Sequence, residues 1–397
     1  MFMKRLSDAA YRLEGQEMFQ ILAKAQGLER EGKDILHFEL GDPDFDTPSY
    51  IVDAACSSLR KGDTHYVNSS GLLELRTAVA DKMEKHRGFR PDANQLLVTA
   101  GANTQIYYAL QCAINPGEEV IVPDPAFVSY FSIMNLLDIK AKKVPLSEDN
   151  EFRLNPDDVE AAITSNTKMI IINSPSNPTG ALMTNDEMRR IYEIAKEKDL
   201  WLLSDEIYAR MNYRDKRESF FSPTECDQGK ERTILVHAFS KSYAMTGWRL
   251  GVCMGPSDLI AKMGLCLETI SSCVPPFIQK AGIEALKGSQ SEILGMREEY
   301  RKRRDVIVDG LNSLPGVSCL NPKGAFYAFP NIQGTGKSSR EFADFMLDEA
   351  GVALTPGTIF GEQGEGYVRL SYCCSVDNIK RGIERMKGAL DDDVVSF

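Results

Sequence analysis

Short, nearly unbroken apolar runs recur along the middle of the chain, between about residues 95 and 255. They are Leu96–Thr99, Val120–Val122, Lys143–Pro145, Met169–Ile172, Leu200–Leu203, Ile234–Val236 and Leu250–Met254. A run that is apolar at successive rather than alternate positions predicts a strand covered on both faces. Helical spacing lies between the runs. Ile106, Ala109, Leu110 and Ala113 follow i, i+3, i+4, i+7 and stop at Asn115-Pro116-Gly117. Thr184-Asn185-Asp186-Glu187 predicts a capping box opening a helix through Met188, Ile191 and Ala195. Strands alternating with helices predict an α/β fold with a doubly wound, mainly parallel sheet of these seven strands.

Beyond about residue 285 the pattern changes. A long helical stretch carries Arg297, Arg301, Lys302, Arg303 and Arg304, which read as a solvated basic face. A region punctuated by Gly and Pro follows, with Ala325–Phe329 and Tyr367–Leu370 as predicted strands. This texture predicts a smaller α+β unit, joined in space by the N-terminal residues. Expected boundaries are 48–284 for the large unit, and 1–47 with 285–397 for the small one.

In an open α/β sheet, ligands bind beyond the carboxyl ends of the strands. After Leu96–Thr99 comes Ala100-Gly101-Ala102-Asn103-Thr104 at a helix start, where free N–H groups favour an anion such as phosphate. After Met169–Ile172 comes Asn173-Ser174-Pro175-Ser176-Asn177-Pro178-Thr179-Gly180, a rigid turn presenting Asn177. Asp205, Glu206 and Tyr208 follow Leu200–Leu203, and Ser240, Lys241 and Arg249 follow Ile234–Val236. Singly, each has a structural alternative, since Asp205 could cap a helix and Lys241 could be solvated. Together they call for a ligand with a phosphate, an acidic proton and an electrophilic carbon.

Composition narrows the class. The 397 residues carry a formal charge of −11, the wrong sign for a groove that tracks a phosphate backbone, so nucleic acid is excluded as the main partner. With 43% hydrophobic and 26% charged residues, the chain can bury a core and is neither disordered nor membrane-like. The first residues lack the apolar stretch of a signal peptide, and no apolar run approaches the roughly 20 residues that span a bilayer. Nine cysteines include no C-x-x-C pair, and none of the four histidines stands i, i+4 from another. These counts predict no metal site, no disulfide framework and a cytoplasmic chain with reduced thiols. Asn68-Ser69-Ser70 therefore reads as a turn and not as a glycosylation site.

Five ordered blocks resemble the class I/II aminotransferases, fold type I enzymes that use pyridoxal 5'-phosphate. They are Gly41–Pro48 (GDPDFDTP), Asn177–Gly180 (NPTG), Ser204–Tyr208 (SDEIY), Phe239–Gly251 (FSKSYAMTGWRLG) and Gly324–Tyr327 (GAFY). The resemblance covers nearly the whole chain. It implies that Lys241 is the Schiff-base lysine and proton carrier, and that Asp205 holds the pyridine nitrogen protonated. Asn177 and Tyr208 would hydrogen-bond the ring 3-oxygen, and Phe127 would stack on the ring. Gly101, Ala102, Asn103, Ser240 and Arg249 would hold the phosphate. Tyr66 would reach the phosphate of a partner subunit, which implies a homodimer. Arg369, in Val368-Arg369-Leu370-Ser371, would take the substrate α-carboxylate, with Gly41 backbone close by.

Three departures qualify the likeness. Ala238 stands where some relatives carry a hydroxyl, so one phosphate contact is either missing or supplied elsewhere. Asn103 stands where aspartate-preferring relatives often have Lys to meet the side-chain carboxylate, which counts against aspartate unless another Arg or Lys substitutes. The segment Glu14-Gly15-Gln16-Glu17-Met18-Phe19-Gln20 lacks the usual Ser/Thr strip. Met18, Phe19 and Phe127 then make either a partly apolar substrate pocket or ordinary packing. Gly334-Thr335-Gly336-Lys337-Ser338 resembles a phosphate-binding loop ending, but Asn331 replaces its first glycine, and Ser338–Glu341 predicts a capping box instead. The expected activity is transfer of the amino group of an L-amino acid to a 2-oxo acid such as 2-oxoglutarate or pyruvate. A carbon–sulfur β-lyase on the same scaffold is the alternative. A cofactor-binding regulator without catalysis is disfavoured by the presence of both Lys241 and Arg369.

Overall fold

The structure, a computed structural model, describes residues 5–13, 15, 17–214 and 220–395. Its strands in chain order are β1 (Leu36–His37), β2 (Leu96–Thr99), β3 (Glu119–Asp124), β4 (Lys140–Pro145), β5 (Thr167–Asn173) and β6 (Trp201–Asp205). They continue with β7 (Thr233–Val236), β8 (Gly251–Met254), β9 (Tyr327–Ala328), β10 (Val352–Ala353), β11 (Thr355–Pro356) and β12 (Val368–Ser371). Seven of them form one sheet in the order β2-β8-β7-β6-β5-β3-β4. All its pairings are parallel except those of β8, which runs antiparallel to β2 and β7. Each of the seven apolar runs is one of these strands.

The unbroken apolar character of the runs follows from two covered faces. Side chains alternate across a strand, so neighbouring residues enter different cores. Met169 and Ile171 of β5 pack with Ile106, Tyr130 and Met263, from the helices Ala102–Ala113, Val128–Leu137 and Ser257–Ser271. Ile170 and Ile172 pack on the opposite face with Val159, Met188 and Ile191, from Pro156–Ala162 and Asn185–Glu197. The helix Asn185–Glu197 starts at the expected box: the Thr184 hydroxyl accepts from Glu187 N, and the Glu187 carboxylate accepts from Thr184 N.

The two ends of the chain meet in the remaining sheets. β1 pairs in parallel with β10, and β12 lies antiparallel between β11 and β9. The helices Ser291–Leu311, Ser339–Glu349 and Val376–Val395 accompany these strands. Ser338 and Glu341 form the expected capping box. The basic face corrects one expectation. Arg303 is buried, its guanidinium 2.7 Å from Asp44 and packed over the rings of Phe45 and Tyr300. Arg304 donates to the Pro322 carbonyl and covers Tyr213. Both work as packing cations: Asp44, outside the helix, meets the charge of Arg303, and Asp305, on the same helix, meets that of Arg304. Among the described residues no helix is long and apolar enough to cross a membrane.

Candidate active site

The carboxyl ends of β5, β6 and β7 deliver Asn173, Asp205 and, one short helix later (Phe239–Ser242), Lys241 to a single cavity of about 300 Å³. Strand register sets two of these side by side, since Asn173 pairs with Asp205. Asn173 Nδ2 donates to the Asp205 carbonyl at 3.1 Å, and its Oδ1 accepts from Asn177 N at 2.9 Å. Asn173 therefore fixes where the following turn places Asn177.

Asp205 is buried. Its Oδ2 accepts from the Tyr130 hydroxyl at 2.5 Å and its Oδ1 from Ile207 N at 3.2 Å. Burial raises its pKa to about 6, and these two donors only partly oppose the shift. Among the described residues no cation pairs with it. The Tyr130 ring meets Phe127 edge to face at 5.6 Å between centroids, so one helix start positions both the ring that lines the cavity and the donor behind Asp205.

Lys241 Nζ donates to the Gly41 carbonyl at 2.6 Å. Burial lowers its pKa to about 8; Cys373 and Asp42 pull it upward, while Arg369 and Arg249 reinforce the fall. With such a pKa, about a tenth of the amine is unprotonated at pH 7 and about half at pH 8. Tyr208 lies opposite, its hydroxyl 2.8 Å from that of Tyr327. Burial drives the Tyr208 hydroxyl well above its ordinary pKa, and Tyr327 up to about 12, so both stay protonated donors.

At one end of the cavity, Gly101 precedes the helix Ala102–Ala113 at φ +86°. A Cβ there would stand 2.4 Å from Arg249 Nη2, so only glycine lets this guanidinium lie against the helix start. The guanidinium is fixed by the carbonyls of Thr246 at 2.8 Å and Ala100 at 3.3 Å. Ala102, Asn103, Ser240 and Thr246 line the same end. This combination suits an anion. At the other end Arg369, only 1% exposed, donates to Asn177 Oδ1 at 3.0 Å and to the Glu39 carbonyl, between the rings of Tyr327 and Phe360. Its Nε makes no hydrogen bond. Gly41 passes so close to Tyr327 that a Cβ would lie 2.0 Å from the Tyr327 hydroxyl.

The cavity thus gathers Gly41, Ala102, Asn103, Phe127, Asn177, Asp205, Tyr208, Ser240, Lys241, Arg249 and Arg369, with Gly101 immediately behind Arg249. Tyr66 is not among them and stands 85% exposed. Met18 and Phe19 line the cavity, whereas Glu14 and Gln16 lie outside the described residues. Asn173, Tyr130, Tyr327 and Thr246 were not singled out from sequence. Tyr130 sits three residues after Phe127, one helical turn on, and that spacing was its only signal.

Residues 33–386 match the family model described as aminotransferase class I and II. The chain is 39% identical to an aspartate aminotransferase of Pyrococcus horikoshii, over 95% of this chain and 94% of that protein. It is 41% identical to aromatic-amino-acid aminotransferase 2 of Thermococcus litoralis, over 98% of each. The solved structure of Thermus thermophilus aspartate aminotransferase with maleate superposes with a TM-score of 0.93 at 34% identity, covering 98% of this chain and 100% of that one.

Proposed function

The chain belongs to the class I and II aminotransferases, which move an amino group between an amino acid and a 2-oxo acid, and from that membership we propose how its own residues carry out the transfer. It has their fold type I architecture. The observation that carries the reading is the convergence on one cavity of a depressed amine (Lys241), a buried carboxylate that no cation pairs with among the described residues (Asp205) and a buried guanidinium with an open nitrogen (Arg369).

Pyridoxal 5'-phosphate fits these groups. A cationic pyridine nitrogen is the partner Asp205 lacks, and the Gly101–Arg249 cradle suits a phosphate. When bound, this cofactor supplies a conjugated ring that withdraws electrons from the substrate Cα–H bond. Asp205, braced by Tyr130, would keep the proton on the ring nitrogen. Lys241 Nζ would anchor the cofactor at rest; once freed by the incoming substrate amine, it would take the Cα proton and return it on the cofactor side. Asn177 and Tyr208 would orient the ring 3-oxygen, Phe127 would cover one ring face, and Ala102, Asn103, Ser240 and Arg249 would bind the phosphate. Arg369 would receive the substrate α-carboxylate.

The remaining readings rest on the same premise. The chain acts as a homodimer in which Tyr66 completes the partner's phosphate site, and its exposure of 85% in the single chain supports this. The large unit is residues 48–284, and residues 1–47 with 285–397 form the small one. The nine free thiols support a cytoplasmic setting. 2-Oxoglutarate or pyruvate serves as acceptor. The test is spectroscopic. An amino acid should convert the lysine-bound cofactor stoichiometrically to its amine form, and a 2-oxo acid should restore it. Release of ammonia and pyruvate without an acceptor would instead assign the β-lyase.

A further inference from the structure

Behind Arg369 lies a second ionisable pair. Glu39 stands two residues after His37, so both side chains fall on one face of the segment that extends β1. The Glu39 side chain is fully buried, at 0% exposure, and its Oε1 meets His37 Nδ1 at 2.8 Å. Its Oε2 makes no hydrogen bond, and neither does Arg369 Nε. The Glu39 backbone carbonyl accepts from Thr355 Oγ1 at 3.0 Å and from Arg369 Nη2. One residue therefore presents its carbonyl to the substrate-side arginine and its carboxylate to a histidine.

A carboxylate taken fully out of water needs a cation nearby, or it costs several kcal/mol. Two cations face Glu39: the His37 imidazolium, and Arg369, whose charge the Glu39 field supports against burial. We propose that Glu39 is a positioning residue for Arg369, and that protonated His37 holds its carboxylate so that Arg369 stays free for the substrate carboxylate. This rests on the reading of Arg369 as the α-carboxylate group.

The consequence is a pH dependence of substrate affinity. While His37 is charged it neutralises Glu39. Once His37 loses its proton, Arg369 is the remaining cation facing Glu39 among the described residues. The unsatisfied Oε2 then competes with substrate for the guanidinium. The groups around His37 fix where this happens. Its Nε2 meets Glu29 of the helix Glu17–Arg30 at 3.1 Å. Val352 and Ala353 of β10, its neighbours across the sheet, carry no titratable group. On the helix Val376–Val395, Gly382 packs on Phe38, while Arg381 and Arg385 are engaged by Asp34. On the other side, Tyr208 and Tyr327 share the surroundings of Arg369. The hydrogen bond to Glu39, reinforced by Glu29 and opposed by burial, raises His37 to about 9.

The test uses holoenzyme in its amine-cofactor form, titrated with pyruvate and with 2-oxoglutarate from pH 7 to 10, with Kd read from cofactor absorbance. Lys241, whose amine is free in this form, titrates near pH 8 in the wild type and the variants alike. Beyond that shared step, the wild type should show an alkaline limb centred near pH 9 that weakens Kd about fivefold between pH 8 and pH 10, as His37 loses its proton. His37→Gln should bind about tenfold more weakly already at pH 8, with no alkaline limb. Glu39→Gln, which keeps the carbonyl and the shape but loses the charge, should bind like wild type at pH 8 and also lack the limb. The changes should fall on Kd and KM rather than on kcat. An alkaline limb that survives in both variants overturns the proposal, as does a Glu39→Gln enzyme as weak as His37→Gln at pH 8. Arg369→Lys separates the two readings. If its Kd matches wild type, the assignment of Arg369 fails; if it is weakened while the limb survives in the other variants, only the role of Glu39 fails. NMR titration of His37 in the wild type gives a check independent of any variant's folding. Its midpoint should exceed 8.5, and a midpoint near the ordinary value of about 6.5 overturns the proposal.

Discussion

Asp205 shows how function and stability oppose each other at a single residue. Its pKa is raised from 3.8 to about 6 by burial, so the folded chain binds that proton more tightly than the unfolded chain does. The sign follows from linkage: the penalty is absent below about pH 4, grows through pH 6, and reaches about 3 kcal/mol at most at pH 7. Asp205→Asn should therefore make the cofactor-free chain more stable at pH 7, with the gain vanishing toward pH 4 in thermal melts. The same change should slow turnover by about a hundredfold or more, because nothing then keeps a proton on the cofactor ring. Tyr130→Phe should act in the same functional direction more weakly. It removes one hydrogen bond to a charged group, worth about 1.5–3 kcal/mol, and should lower kcat more than it raises KM. Gly101→Ala places a Cβ 2.4 Å from the Arg249 guanidinium at a φ of +86°. A side chain in this extended positive-φ conformation (ψ −177°) alone costs about 1–3 kcal/mol, and the cofactor Kd should rise at least tenfold in absorbance titrations. Sequence showed the Asp, Lys and Arg because strand ends and ordered blocks mark them. It did not show Tyr130 or Asn173, whose importance lies in hydrogen bonds to Asp205 and Asn177 that no spacing encodes.

At the level of elements, legibility followed burial. The doubly covered strands β5, β6 and β7 read directly as apolar runs, because both of their faces meet helices. β4 begins at Lys140, three residues before its expected start, since this edge strand leaves Lys140 and Lys142 exposed and so hides its pattern. β1, β10 and β11 are two residues each, too short to carry any period, yet β1 carries the chain into Glu39 and Gly41. The expected strand Ala325–Phe329 shrinks to Tyr327–Ala328, with Ala325 at φ +56° turning the backbone before Tyr327 enters the site. Local signals with their own hydrogen bonds are legible in the sequence, as at Thr184 and Glu187. Thr184→Ala should cost about 1 kcal/mol in denaturant unfolding and leave kcat unchanged, because no residue of the helix it caps lines the cavity.

For the whole molecule, the −11 net charge does not describe the site, where the guanidinium groups of Arg249 and Arg369 are set locally in an acidic chain. The assembly matters more, because Tyr66 is exposed and does not line its own cavity, and in the proposed reading it donates to a second copy. That reading makes a prediction which a monomer cannot meet. Lys241→Ala alone should be inactive at every cofactor concentration. Tyr66→Phe alone should lose a hydrogen bond to a charged phosphate, about 1.5–3 kcal/mol, and so be inactive only when cofactor is scarce. When the two variants are unfolded together and refolded at equal amounts, half of the dimers are hybrids. In each hybrid, one site combines an intact Lys241 with an intact Tyr66 donated across the interface. About a quarter of all sites should then behave as wild type, and activity at low cofactor should rise to about that fraction. No gain above the separate variants would place Tyr66 outside the partner's phosphate site, and a chain that sediments as a fully active monomer would remove the shared site altogether.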